Sequence, residues 1–433
     1  MLKIVQKLKK GLRGKITIPA DKSISHRAVM FSSIARGRGK CIIKNFSSGA
    51  DCHSTLSIFK QLGVDIDFID EKTLTVKTDG YLRKSFIPLD AGNSGTTTRL
   101  ISGILSGQDF DSVIIGDESL SKRPMKRIIE PLSLMGAKID SVDGHAPLTI
   151  YGSKTRRGKL HGINYSSKLA SAQVKSCILL AGLYAEGETT VTEPYVSRNH
   201  TERLLDYMGA DIKVNGNSVT IYPSELISKD ITVVGDISSA AFFIVAGLIV
   251  PNSDFIIKNV GLNPTRAGII DVVNRMGCKL DIQNKHFESG EEVGDIRVQY
   301  NDTLKGCVIE GEDIPRLIDE LPVIAVLASQ AEGQTVVKNA EDLRNKESDR
   351  IKCLVSELTK IGVNIKETPD GFIVEGKTKL KGIAELESYH DHRLAMSFYI
   401  AGLISEQEIA VNGFEWTKIS FPEFEELINL LIK

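Results

Sequence analysis

The chain has 433 residues, with 54 Lys and Arg against 55 Asp and Glu and a formal charge of −1. That balance excludes a globally basic nucleic-acid binder and a solvating acidic tail, so any anion binding must come from local clusters. The longest apolar run, Ala240 to Val250, has 11 residues, too short to span a bilayer, and Met1-Leu2-Lys3-Ile4 shows no signal-peptide core. The length predicts two or three domains with ample core. The six cysteines (41, 52, 177, 278, 307 and 353) are scattered and form no CxxC. They predict reduced, mostly buried thiols in a cytoplasmic protein, with no disulfide framework and no zinc site.

In chain order, one unit returns six times. Small, apolar helices open near residues 21, 92, 170, 235, 318 and 389, at DKSISHRAVMFSSIA, GNSGTTTRLISGIL, ASAQVKSCILLAGL, GDISSAAFFIVAGL, IDELPVIAVLAS and YHDHRLAMSFYIAGL. Several are apolar nearly all round, so they are expected to be buried. Between them come helix-period stretches that end on a repeated phrase: Leu62-Gly63-Val64, Met135-Gly136-Ala137, Met208-Gly209-Ala210, Met276-Gly277-Cys278 and Ile361-Gly362-Val363. These glycines lie 73, 73, 68 and 85 residues apart, and each precedes a period-2 stretch such as DIDFI or DIKV. A helix C-terminus needs a left-handed residue before a strand begins, which explains the glycine. The last helix, expected over Phe424 to Ile432, ends the chain where a sixth such glycine would come. An open solenoid is one reading, but solenoid repeats run to roughly 20–45 residues, and units of about 72 suggest compact packing instead. Three units per domain would put a boundary at Val234-Gly235-Asp236.

The helix openings carry the chemistry. A helix N-terminus offers unpaired N–H groups and the positive end of a dipole. To this the chain adds hydroxyls and cations: Lys22, Ser23 and Arg27 in the first opening, Asn93, Ser94, Gly95 and Arg99 in the second, Ser171, Gln173 and Lys175 in the third. Ser, Thr, Asn and Asp are also plain N-caps. Three openings that share hydroxyl and cation favour an anion site. Further cations stand at Ser121-Lys122-Arg123-Pro124, at Arg344 to Arg350, and at His392-Arg393. Lys346 and Arg350 are four apart and are expected to share a helix face. Asp319-Glu320 enters an apolar helix start, as a cap or as a positioned base, and Glu347 is a second acid candidate. Phosphate-loop, dinucleotide-fold and nucleophile-elbow motifs are all missing. His390-x-His392 is weak metal evidence, so neither metal nor cofactor is expected.

Taken together, DKSISHR, GNSGTTTRL, KRPM, ASAQVKS, SRNHTE, DELPV, RNKESDR and DHRLAMSF resemble the 5-enolpyruvylshikimate-3-phosphate (EPSP) synthase family, from about residue 13 to the end. The sister family acting on UDP-N-acetylglucosamine has Asn after its early Lys, where this chain has Ser23, and a Cys near the KRP region, where 117–127 has none. The resemblance implies an α/β (α+β) architecture, the enolpyruvyl transferase fold. That is an inside-out α/β barrel of two domains, each of three βαβαββ repeats around a pseudo-threefold axis. The expected domains are 1–20 with 235–433, and 21–234, with the site in the cleft between them.

The resemblance also implies the reaction. Phosphoenolpyruvate gives its enolpyruvyl group to the 5-hydroxyl of shikimate 3-phosphate and phosphate leaves, through a tetrahedral intermediate. Lys22 would contact both substrates. Ser23, Arg27, Ser171, Gln173, Ser197, Asp319 and Lys346 would hold shikimate 3-phosphate, and Asn93, Gly95, Arg123, Gln173, Arg350 and Arg393 phosphoenolpyruvate. Asp319 would be the base, with Glu347 and Lys22 as proton donors to the methylene carbon. Both substrates are polyanions, and one opposite charge at ~4 Å is worth about 4 kcal/mol at an effective dielectric near 20. Glyphosate is the expected inhibitor, and a monomer with no nucleic-acid or membrane partner is expected. The chain departs from the family at Ala172, often a second Ser, at Asp342, often Asn, at Leu100, often Pro, and at Lys418, one residue out of register. Transfer to a UDP-sugar and a catalytically dead anion-binding scaffold are the rival readings. Unequal residues at equivalent openings speak against the scaffold.

Overall fold

In a computed structural model, which describes residues 1–37 and 39–432, the chain forms two compact units. The first comprises Met1–Asp21, Val234–Phe287 and Glu292–Lys433, and the second Lys22–Val233 with Glu288–Glu291.

The described residues form five four-stranded sheets and one three-stranded sheet. The four-stranded sheets share one order, seen in Leu89–Asp90, Ser112–Ile115, His145–Tyr151 and Lys138–Val142. The first two strands are parallel and the last two form an antiparallel hairpin beside them. A buried helix makes the parallel crossover and an amphipathic helix leads into the hairpin, which is a βαβαββ repeat. In the second unit's first sheet the leading strand is Ile231–Thr232, from the far end of that unit. In the first unit, Arg13–Thr17 takes the leading place beside Asp254–Gly261. Strands borrowed from the far end close each unit on itself, which is why the repeats do not stack as a solenoid. In the three-stranded sheet, Lys3–Val5 pairs with Ile409–Asn412, where the other repeats have their hairpin.

The five repeated glycines have φ of 87°, 89°, 85°, 90° and 90° at Gly63, Gly136, Gly209, Gly277 and Gly362. Each donates its N–H three residues back and the next residue donates five back, as in Gly277 to Asn274 (3.0 Å) and Cys278 to Val273 (3.1 Å). This double closure satisfies the last helical carbonyls and turns the chain into a strand. The amphipathic helices that end there are Ala50–Gln61, Lys126–Leu134, His200–Tyr207, Gly268–Arg275 and Arg350–Lys360. The final helix is Phe424–Leu431.

The apolar helices are Lys22–Ile34, Gly95–Ser106, Ala172–Gly182, Ile237–Ile249, Leu321–Ala328 and His392–Gly402, called below the first to sixth buried helices. Every residue of the last three is buried. The second and third approach so closely that a methyl on Gly103 would lie 2.1 Å from the Cys177 carbonyl oxygen. The expectation for the cysteines needs correction: all six are free, but Cys278, Cys307 and Cys353 are only half-buried.

Gly277 and Gly158 both have open space around a built Cβ, and only Gly277 has positive φ. Gly277→Ala is therefore expected to cost about 1 kcal/mol through backbone strain alone, with Gly158→Ala costing less. Denaturant unfolding of the two variants checks this.

Candidate active site

In the second unit, the beginnings of three buried helices are tied together. Lys22 opens the first, and its Nζ lies 2.9 Å from Asp51 Oδ2. One turn on, buried Arg27 donates to the Ser23 carbonyl (2.8 Å), to Thr201 Oγ1 (2.6 Å) and to Ser176 Oγ (2.9 Å). The second buried helix is capped by Ser94, which accepts the Thr97 N–H at 3.1 Å. Asn93 accepts from Arg123 Nη2 at 2.8 Å, and its own amide donates to Asp117 at 2.7 Å. Arg99 Nη1 donates to Gln173 Oε1 at 2.6 Å, and Gln173 Nε2 donates to Thr96 Oγ1 at 3.0 Å, joining the second helix to the third. A methyl on Gly95 would stand 2.8 Å from Arg99 Nη1 and 3.5 Å from Arg123 Nη1. Two guanidinium groups thus face bare backbone.

The third buried helix is capped by Ser171, whose Oγ accepts the Val174 N–H at 3.5 Å. Ser171 N–H donates to Glu193 Oε1 at 2.7 Å, and Ser197 Oγ donates to Glu193 Oε2, also at 2.7 Å. Lys175, expected to add a cation to this opening, does not. It is buried with Nζ 2.8 Å from Glu193 and 2.7 Å from Glu202. Burial alone would lower its pKa, but the two carboxylates outweigh that and raise it. Its charge is spent inside the fold, a pairing that sequence spacing did not show.

In the first unit, Ser238 at the start of the fourth buried helix donates its hydroxyl to Glu320, the residue before the fifth. Arg393, in the first turn of the sixth, lies 4.0 Å from Glu320 and donates to the Ser238 carbonyl at 3.5 Å. Arg350 is buried and joins three acids: Asp391 (2.7 Å), Glu347 (2.7 Å) and Asp319 (3.4 Å). Burial disfavours its charge, but Asp391, Glu347 and Asp319 outweigh burial and raise its pKa. It therefore stays cationic at any physiological pH. Asp391 also caps the sixth helix by accepting the Arg393 N–H at 2.9 Å. Asp391 and Asp51 were not singled out from the sequence, although Asp391 lies inside the quoted DHR stretch. Arg266 is a further buried cation, held by Asp21 (3.0 Å) and Asp236 (2.9 Å).

One expectation fails here. Lys346 does not share a helix face with Arg350. It follows the Glu341–Asn345 3₁₀ turn in extended conformation, Asp349 caps the next helix, and Arg350 is its first residue. Lys346 instead pairs with Asp342 at 3.0 Å. The family departure at Asp342 thus places a carboxylate against this lysine.

The caps of the two units differ in charge. In the second unit the second and third buried helices are capped by the neutral hydroxyls of Ser94 and Ser171. In the first, the fourth and sixth are capped by the carboxylates of Asp236 and Asp391, and the fifth, which follows Glu320, has no side-chain cap. A hydroxyl satisfies an N–H without cancelling the positive helix end, whereas a carboxylate cancels it and can then hold an arginine. Among the described residues, no group of three or more His, Cys, Asp or Glu could hold a metal, and no helix is long and apolar enough to cross a membrane.

Comparison with known proteins gives the family and the fold. The family model described as EPSP synthase (3-phosphoshikimate 1-carboxyvinyltransferase) matches residues 6–428. The 3-phosphoshikimate 1-carboxyvinyltransferase of Thermoanaerobacter sp. (strain X514) is 52% identical over 430 residues, 98% of this chain and 99% of its own. That of Bacillus cereus (strain G9842) is 50% identical over 433 residues, 99% of each chain. The solved EPSP synthase of Acinetobacter baumannii superposes with a TM-score of 0.89 at 44% identity, covering 99% of this chain and 98% of that one. The enolpyruvyl transferase NikO of Streptomyces tendae, at 17% identity and a TM-score of 0.79 over 99% and 97% of the chains, shares the fold. The chain belongs to the EPSP synthase family, and its architecture is the enolpyruvyl transferase fold.

Burial raises the pKa of Cys41, Cys177, Cys278 and Cys307, and pushes Cys353 to about 11. These thiols are almost wholly protonated at neutral pH, and the thiol form is a poor nucleophile. Iodoacetamide at pH 7.5 is expected to leave activity intact, and rapid stoichiometric inactivation would contradict this.

Proposed function

We propose that the residues gathered in the two units carry out the family reaction, each in the role its position suits. The activity is transfer of the enolpyruvyl group of phosphoenolpyruvate to the 5-hydroxyl of shikimate 3-phosphate with release of phosphate. In this reading Asp319 takes the 5-hydroxyl proton as that oxygen adds to C2 of phosphoenolpyruvate. Arg350 Nη1, 3.4 Å away, fixes the orientation of the Asp319 carboxylate. A proton goes to the methylene carbon from Glu347 or Lys22, and the tetrahedral adduct forms. Loss of that carbon's proton and of phosphate through C–O cleavage restores the double bond.

Arg123, Arg350 and Arg393 meet the charges of phosphoenolpyruvate, with Asn93 fixing Arg123 and Gly95 leaving room. Gln173 lies beside that group and contacts both substrates. Ser23, Arg27, Ser171 and Ser197 hold shikimate 3-phosphate, with Lys346 on its hydroxyls. Lys22 reaches both substrates. The reading rests above all on three hydroxyl-bearing helix beginnings brought together with Lys22, Arg27, Arg99 and Arg123. Charge-assisted hydrogen bonds there are worth roughly 1.5–3 kcal/mol each. All of these groups come from one chain, so a monomer suffices. The free cysteines suit the reducing cytoplasm.

Phosphate release is expected only when both substrates are present, and a coupled phosphate assay that stays silent overturns the reading. Asp319→Asn should lower kcat about a hundredfold or more, the usual weight of a general base, while shikimate 3-phosphate still binds by calorimetry. Glyphosate is expected to compete with phosphoenolpyruvate beside Gly95. In Gly95→Ala the methyl meets Arg99 at 2.8 Å, so inhibition constants should rise about tenfold or more, the factor for loss of one charge-assisted contact.

A further inference from the structure

We propose that Glu193 is a positioning residue for the phosphate of shikimate 3-phosphate, acting through Ser171 and Ser197. The inference rests on the roles given to those two serines above. Glu193 lies on the strand-to-helix segment before the His200–Tyr207 helix and is 2% exposed. Its carboxylate accepts four bonds. Oε1 takes the Ser171 N–H at 2.7 Å. Oε2 takes the Ser197 hydroxyl at 2.7 Å, the Ser197 N–H at 3.3 Å and the Lys175 ammonium at 2.8 Å. Lys175 also donates to the Ser197 carbonyl at 3.3 Å, so Ser197 is gripped on its backbone and on its side chain.

The two serines come from different elements, the cap of the third buried helix and the loop before the next helix. One buried anion sets the distance between them. The arrangement also resolves a conflict of hydrogen bonding. A phosphate needs donors, yet the Ser197 hydroxyl donates to Glu193. A serine hydroxyl has a single proton, so it must turn from Glu193 to serve the substrate. A buried carboxylate left unpaired would oppose that turn. Glu193 is not left unpaired, because Lys175 and two backbone N–H groups remain on it. Lys175 is therefore a counter-ion that lets the serine swing, and its spent charge has a use in binding after all. Glu202, 2.7 Å from Lys175 on its other side, holds the ammonium in place.

A glutamine at 193 keeps the shape but replaces one acceptor with an N–H₂ that faces donors, and it leaves Lys175 without one of its carboxylates. Steady-state kinetics with each substrate varied in turn, on Glu193→Gln, Glu193→Asp, Ser197→Ala and Glu193→Gln/Ser197→Ala, tests the idea. Glu193→Gln is expected to raise KM for shikimate 3-phosphate about tenfold, with KM for phosphoenolpyruvate and kcat changed less than about threefold, the size expected when positioned hydrogen bonds are lost from one substrate. The double variant should fall short of the product of the single effects, because one change acts through the other. Glu193→Asp keeps the charge and retracts it, so it should fold and show the same split if the glutamine variant does not fold. Equal changes in both KM values, or an unchanged KM for shikimate 3-phosphate beside a raised one in Ser197→Ala, overturns the positioning role. An unaltered KM in Ser197→Ala overturns the assignment of Ser197 itself, and the proposal with it.

Discussion

The beginnings of three buried helices are tied together within each unit, and what caps them sets the charge at each opening. A buried helix beginning concentrates N–H groups that must be satisfied. In the second unit Ser94 and Ser171 cap two of them with neutral hydroxyls, while Lys22 lies against Asp51 and the Ser171 N–H is taken by Glu193. In the first unit Asp236 and Asp391 cap two of them with charge, and Arg266 and Arg350 are bound to those acids. One repeat has therefore yielded a half with two hydroxyl-capped openings and a half in which acids and arginines are held in register.

The same logic explains how the acids of the first unit are oriented. Arg350 is buried, so its charge is tolerable only beside anions. Asp391 supplies the structural anion, which leaves Asp319 and Glu347 at the edge of the cluster, half-buried and oriented by the guanidinium. An arginine that cannot lose its proton is a fixed reference against which two carboxylates can be aimed. The second unit reverses the arrangement, with Glu193 as the fixed anion and Lys175, Ser171 and Ser197 arranged around it.

Chain length and glycine placement make the repeats close. Five helices end on the same pair of hydrogen bonds at a left-handed glycine, and each turn delivers a strand into the same place in a sheet. Parallel neighbours need long crossovers, and the buried helices provide them. Where the chain passes from one unit to the other, a strand from the far end fills the vacant place, so among the described residues each of these two sheets has its leading strand.

The repeats, the six buried helices and their turns were legible from the sequence because they follow from local rules: apolar periodicity, N-cap residues, and a glycine where φ is positive. Asn93, Gly95, Arg99, Asp319 and Arg393 stand out as candidates because they lie at helix openings, whereas Arg123 and Arg350 stand out only as cations in connecting stretches, and the roles of all of them come from the family resemblance. What the sequence could not show is which charge meets which. Lys175 reads as an anion-binding cation and is consumed by Glu193 and Glu202. Lys346 reads as a neighbour of Arg350 on one helix and is separated from it by the cap at Asp349. Asp51 and Asp391 look like ordinary surface acids and turn out to hold Lys22 and Arg350. Ion pairing depends on distances of a few ångströms between residues far apart in the chain, and only the folded backbone sets those distances.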